Sequence, residues 1–96
     1  MKLLLIACNE VLDTEVIELL TAAGVTGYTR WTQVQGVGGA SGSHLGTTIW
    51  PKLNHVIAAV VADPVAADLF DRLRQHREQT RQHGLKAFIL PVEAAT

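Results

Sequence analysis

The chain opens on an apolar run, Lys2 to Cys8, too short and too β-rich in pattern for a helix, and it predicts a strand. Asn9 to Asp13 is a polar break, with Asn9 and Asp13 as possible helix caps. Leu12, Val16, Leu19, Leu20 and Ala23 then recur at helical spacing and predict a helix of about three turns. Gly24 stands where a glycine just past the end would stop it. Gly27 to Gln35, rich in Thr, Trp and Val, predicts a second strand, and Leu53 to Val61 a third. Asp63-Pro64 reads as a cap followed by a proline at the first helical position. Val65, Ala66, Leu69, Phe70 and Leu73 form the apolar stripe of a second helix. Its last turns, "RQHREQTRQH", are wholly polar and are expected to lie along a solvated surface. Gly84 stops it, and Leu85 to Leu90 predicts the fourth strand.

The order βαββαβ predicts an α+β fold, the ferredoxin-like sandwich, with a four-stranded antiparallel sheet and two helices on one face. Residues 1–96 are expected to form a single domain. Strands one and three would be central. A sheet face that meets water should turn polar at every second position, and these two strands do not. Leu3, Leu5 and Ala7 oppose Leu4, Ile6 and Cys8 in the first; Val56, Ala58 and Val60 oppose Ile57, Ala59 and Val61 in the third. Helices on one side leave the other apolar face bare, and self-association is the simplest cover.

The stretch between strands two and three has a different character. "QGVGGASGSHLG", Gln35 to Gly46, holds five of the chain's eight glycines. Such a segment builds no core. Its backbone N–H groups could cradle a phosphate, or it could be an inert hairpin tip; no Gly-Lys-Ser/Thr sequence makes it a Walker loop. It is expected to be the least ordered part of the unliganded protein. Trp50-Pro51 closes it, and Trp31 and Trp50 could pack across the hairpin or line a pocket.

Composition narrows the functional classes. The chain is 48% hydrophobic but only 5% aromatic, so aliphatic side chains do the packing. The net charge of −1 argues against nucleic acid as a partner. The longest apolar run, Val56 to Ala62, is far short of the roughly 20 residues of a membrane span. Leu5-Ile6-Ala7-Cys8 superficially matches a lipoprotein cleavage box, but a strand explains the same letters, and a cytoplasmic location is expected. Cys8, the single cysteine, fits a reducing compartment and reads as a small buried apolar residue rather than a nucleophile. No Ser-His-Asp arrangement with fixed geometry can be argued, so catalysis is not expected. Glu10, Asp13, Glu15 and Glu18 cluster at the first helix start, where the helix dipole favours them and solvation suffices. His44, His55, His76 and His83 show no zinc-finger spacing. His44, in the glycine loop, is the best metal candidate; His55 reads as a partly buried strand residue.

Three stretches, in order and spacing, resemble the PII signalling proteins, the trimeric nitrogen regulators. "GVTGYTRWTQVQGVG", Gly24 to Gly38, is similar to the family's second-strand segment with one extra residue near Trp31, which predicts a bulge. "WPKLN", Trp50 to Asn54, and "GLKAFIL", Gly84 to Leu90, are similar to the approaches to strands three and four. The resemblance implies a homotrimer with ATP, ADP or AMP held in clefts between subunits. It implies a regulator that docks on a client such as a transporter or an enzyme through the glycine-rich loop, about residues 36–50. The matching ligand-binding positions are Thr29, Gly36, Val37, Gly38 and Lys86. Where the family has an Arg-Gln pair after the second glycine, its Gln helping to hold a magnesium–2-oxoglutarate complex, this chain has Gly39 and Ala40. The loop has no tyrosine for uridylylation, and the basic loop before strand four is reduced to "RQHG". Copper-tolerance proteins of the CutA type share the trimeric architecture. They supply the alternative reading, a metal-binding or metal-responsive trimer using His44 and His55.

Overall fold

The computed structural model describes residues 1–37, 53–80 and 84–96. Gly38, Gly39, Ala40, His44, Trp50 and His83 lie outside the described residues, as does the expected disorder of the glycine segment. The elements run β1 (Lys2–Asn9), a 3-10 turn (Glu10–Leu12), α1 (Asp13–Ala22), β2 (Thr29–Gln35), β3 (Leu53–Val61), α2 (Asp63–Thr80) and β4 (Leu85–Pro91). Every strand pair is antiparallel, in the order β2-β3-β1-β4. The fold is therefore the ferredoxin-like α+β sandwich, with β1 and β3 at the centre of the sheet.

Local chemistry accounts for the boundaries. Asn9 caps the 3-10 turn, its Oδ1 accepting from the Val11 N–H at 3.0 Å. Gly24, at φ +85°, ends α1. The Gly24 N–H donates to Thr21 O and the Val25 N–H to Leu20 O, satisfying carbonyls that the helix leaves open. Val25, 5% exposed, then turns back into the core. The second strand begins at Thr29, two residues later than the sequence pattern predicts. The extra residue does make a bulge: Trp31 pairs with Val56 but Val34 with Asn54, and Gln33 takes φ +57° within the shift. Asp63 lies inside α2 as its first residue, and its carboxylate accepts from the Met1 amine.

The register sorts side chains onto two faces. Leu4, Ile6 and Cys8 of β1, Ile57 and Ala59 of β3 and Leu85 of β4 turn toward the helices and are buried with Val16 and Leu20 of α1 and Leu69 and Leu73 of α2. The other face carries Leu3, Leu5, Ala7, Val56, Ala58, Val60, Phe88 and Leu90, with Thr29 and Trp31 on β2. No helix covers it. Trp31, Val60, Phe88 and Leu90 stand between 41% and 53% exposed.

Asp13 is not a cap. The N-terminal flank of α1 is Leu12, which makes no side-chain cap, and Asp13 is the first helical residue. Its carboxylate joins three elements instead. Arg30 Nη1 on β2 donates to Oδ2 at 3.1 Å, and His55 Nδ1 on β3 donates to Oδ1 at 2.7 Å. A carboxylate only accepts, so Nδ1 carries the His55 proton. Cys8 is the strand partner of His55 and is 1% exposed. Burial, and behind it the negative charge of Asp13, push its thiol up to about 11. The polar tail of α2 is also more engaged than its composition suggests. His76 Nε2 meets Glu15 of α1 at 3.1 Å, so Glu15 is not merely solvated, and Arg77 Nε donates to the Leu85 carbonyl at 2.8 Å.

Three outcomes follow from this packing. Ile6→Glu puts a charge against the helices at a cost of about 4 kcal/mol or more, and circular dichroism is expected to show no cooperative unfolding; Leu5→Glu, on the uncovered face, is expected to keep it. Asp13→Ala orphans the partly buried His55 donor and is expected to cost about 2 kcal/mol, lowering Tm by roughly 10 °C, with Asp13→Asn losing about half as much. Iodoacetamide at pH 8 should leave the native Cys8 thiol unmodified and alkylate it in denaturant. Because the folded thiol is raised from 9.0 to about 11, the stability it carries is intact below pH 9 and declines as pH rises through 11.

Candidate functional site

Of the described positions that the sequence marks for ligand binding, Gly36, Val37 and Lys86 fall at one end of the sheet but on its two opposite edges, while Thr29 opens β2 away from that end, paired with Ala58. That end is formed by the close of β2, the start of β3, the close of β1 and the start of β4. Gly36 follows Gln35, the last residue of β2, which pairs with Leu53. A Cβ on Gly36 would come within 2.1 Å of Asn54 Nδ2, so the glycine lets the chain pass close over β3. Asn54 is the register partner of Asn9, and the Asn9 N–H donates to the Gly84 carbonyl at 2.6 Å. A Cβ on Gly84 would lie 2.9 Å from Asn9 Cβ. Gly36, Asn54, Asn9 and Gly84 thus form a row across the sheet end, and Lys86 sits just inside β4.

At about 4.8 Å per strand, three strand steps separate the Gly36 edge from the Lys86 edge by roughly 14 Å. A phosphate group is far smaller than that. Within one protomer, Gly36 and Lys86 cannot hold the same phosphate. Thr29 lies on the uncovered face, opposite Ala58, and Val37 is 84% exposed. Gly38 lies outside the described residues.

The β4 edge offers a cavity that the sequence pattern does not announce. A hollow of about 210 Å³ lies between the second half of α2 and the start of β4. Its floor includes Phe70, Leu73 and Leu85, and its rim Arg74, Arg77 and Lys86. Phe70, Leu73, Arg74 and Arg77 stand at i, i+3, i+4 and i+7. The apolar stripe of α2 therefore continues geometrically through two arginines, and this spacing was the signal available in the sequence. The Arg77 stem lies over the apolar floor, and its Nε is held by the Leu85 carbonyl.

The histidine positions separate as well. His55 is turned toward α1 and its Nδ1 is committed to Asp13, while His44 lies outside the described residues. Among the described residues, no group of three or more His, Cys, Asp or Glu side chains converges as a metal site would require. Among the same residues, no helix is long and apolar enough to cross a membrane.

Among functionally curated proteins, none matches the sequence. Solved structures match the fold closely. CPII from Thiomonas intermedia K12, a nitrogen regulatory PII-like protein bound to ADP, AMP and bicarbonate, is 20% identical with a TM-score of 0.74; the match covers 99% of this chain and 92% of that one. The same protein bound to ADP and bicarbonate aligns at 25% identity and a TM-score of 0.67, over 92% and 81% of the two chains. A PII-like signalling protein from Thermus thermophilus is 23% identical with a TM-score of 0.67, over 92% and 82%. The family model for nitrogen regulatory protein P-II matches residues 1–96, and with the βαββαβ frame, the bulged second strand and the glycine and lysine at the two sheet edges this places the chain in the nitrogen regulatory protein P-II family.

Proposed function

We propose that residues 1–96 act as one unit, a homotrimeric regulator that binds an adenine nucleotide between protomers and signals to a client protein through the glycine-rich segment, without catalysing a reaction. The carrying observation is the placement of Gly36 and Lys86 on opposite edges of one sheet end. A single protomer offers each half of a phosphate site but not both together. When the uncovered apolar faces of neighbouring copies pack against one another, the β2 edge of one protomer can meet the β4 edge of the next. The Gly36–Val37 backbone, continuing into Gly38, then faces the phosphates from one side, and Lys86 supplies charge from the other. Thr29 stands at the base of the same edge. The nucleotides named with CPII are ADP and AMP, which fits this assignment.

Affinity is expected to be modest. Gly39 and Ala40 offer no charged side chain where the family has an Arg-Gln pair. Each missing charged hydrogen bond removes about 1.5–3 kcal/mol, and two would cost over a hundredfold in affinity. ADP or AMP should therefore bind better than ATP.

Native mass spectrometry of the purified protein with ADP tests the reading. A trimer carrying up to three nucleotides is expected. Lys86→Ala should keep the trimer and lose the nucleotide, and Leu5→Glu should yield a folded monomer. A wild-type protein that stays monomeric at micromolar concentration, or that shows neither heat nor thermal shift with millimolar AMP, ADP or ATP, would overturn it. Zinc or copper raising Tm, with His44→Ala cancelling the effect, would put the metal-binding trimer in its place.

A further inference from the structure

The cavity between α2 and β4 suggests what distinguishes one nucleotide from another, an inference that rests on the nucleotide reading above. All nine carboxylate residues of the chain lie among the described residues. None of them pairs with Lys86 or Arg77; among the described residues the one polar contact of the Arg77 side chain is its Nε to the Leu85 carbonyl. That bond fixes the guanidinium beside the first residue of β4, and among the described residues neither terminal nitrogen has a partner. Arg74, one helical turn back, shares its charge with Asp71 at 2.5 Å and remains on the rim of the same hollow. Two cationic groups without acidic partners, and a third half-neutralised, thus surround one hollow on an apolar floor. All three side chains are exposed at the rim, where a polyanion from solvent can reach them.

We propose that Arg77, supported by Arg74, is a specificity residue that engages the second phosphate of the bound nucleotide, so that the site selects ADP over AMP. Lys86 is a point charge suited to the first phosphate. The planar Arg77 fork, already held on one side, can give two parallel N–H bonds to another phosphate group. An arginine pinned by a backbone carbonyl also gives up less side-chain freedom on binding than a free one. The two arginines come from α2 and not from the short loop before β4, so the hollow makes up part of the positive charge that the loop lacks.

Calorimetric titration of the wild type with ADP and with AMP tests this. ADP is expected to bind about tenfold or more tightly than AMP. Arg77→Gln should bring the two affinities within about twofold by weakening ADP alone, with AMP affinity unchanged. Arg74→Gln, an exposed change that leaves the fold intact, should lower the ratio by roughly threefold and keeps the test open if Arg77→Gln fails to fold. Nucleotide binding with an ADP-to-AMP ratio indifferent to both variants would overturn this inference and leave the nucleotide site standing. A wild type that binds neither nucleotide would overturn both.

Discussion

Two helices cover one face of a four-stranded sheet, and this chain has made both faces apolar. Most of the structure depends on that mismatch. On the covered side the mismatch is resolved in the usual way, with Leu4, Ile6, Ile57 and Leu85 sealed under α1 and α2. On the other side, Leu5, Val60, Phe88 and Leu90 have no helix over them among the described residues. An exposed apolar face of this kind marks an interaction surface. In the trimer proposed above this face is the contact between copies, and the proposed nucleotide site takes its geometry from that contact.

Edges matter for the same reason. Sheet order β2-β3-β1-β4 sends the glycine-bearing strand and the lysine-bearing strand to opposite margins. Chain connectivity places both at the same end, because β2 closes and β4 opens there. Gly36 and Gly84 each allow the backbone to pass close to an asparagine, Asn54 and Asn9, so the sheet end is tightly made. The Asp13 carboxylate braces the structure from beneath, tying α1 to Arg30 on β2 and His55 on β3 just ahead of the bulge. A shift of β2 is therefore felt at the start of α1.

Much of the frame was legible in the sequence because it is written in short-range periodicity. The third strand was read to the residue, Gly24 was read as the stop of α1, and the extra residue near Trp31 was read as a bulge. The two-faced apolar pattern of β1 and β3 was visible as plain alternation. What was not legible depended on partners far along the chain. Asp13 looked like a cap and a solvated acid because its partners are 17 and 42 positions away. Arg74 and Arg77 looked like a solvated tail because their composition was polar, although their spacing continued the buried stripe. That Gly36 and Lys86 stand on opposite edges follows from the strand order, which the βαββαβ pattern with strands one and three central already implies.

Mixing two defective variants tests most directly whether the site is shared between protomers. Gly36→Asp and Lys86→Glu each place a negative charge at one margin, and each alone should bind no nucleotide. Co-assembled at equal amounts and counted by native mass spectrometry, random trimers would contain about a quarter of sites built from the intact edge of each variant. ADP occupancy near a quarter of the wild-type value is expected. No recovered binding in mixed trimers, with both variants folded and trimeric, would mean that Gly36 and Lys86 do not meet across a subunit boundary.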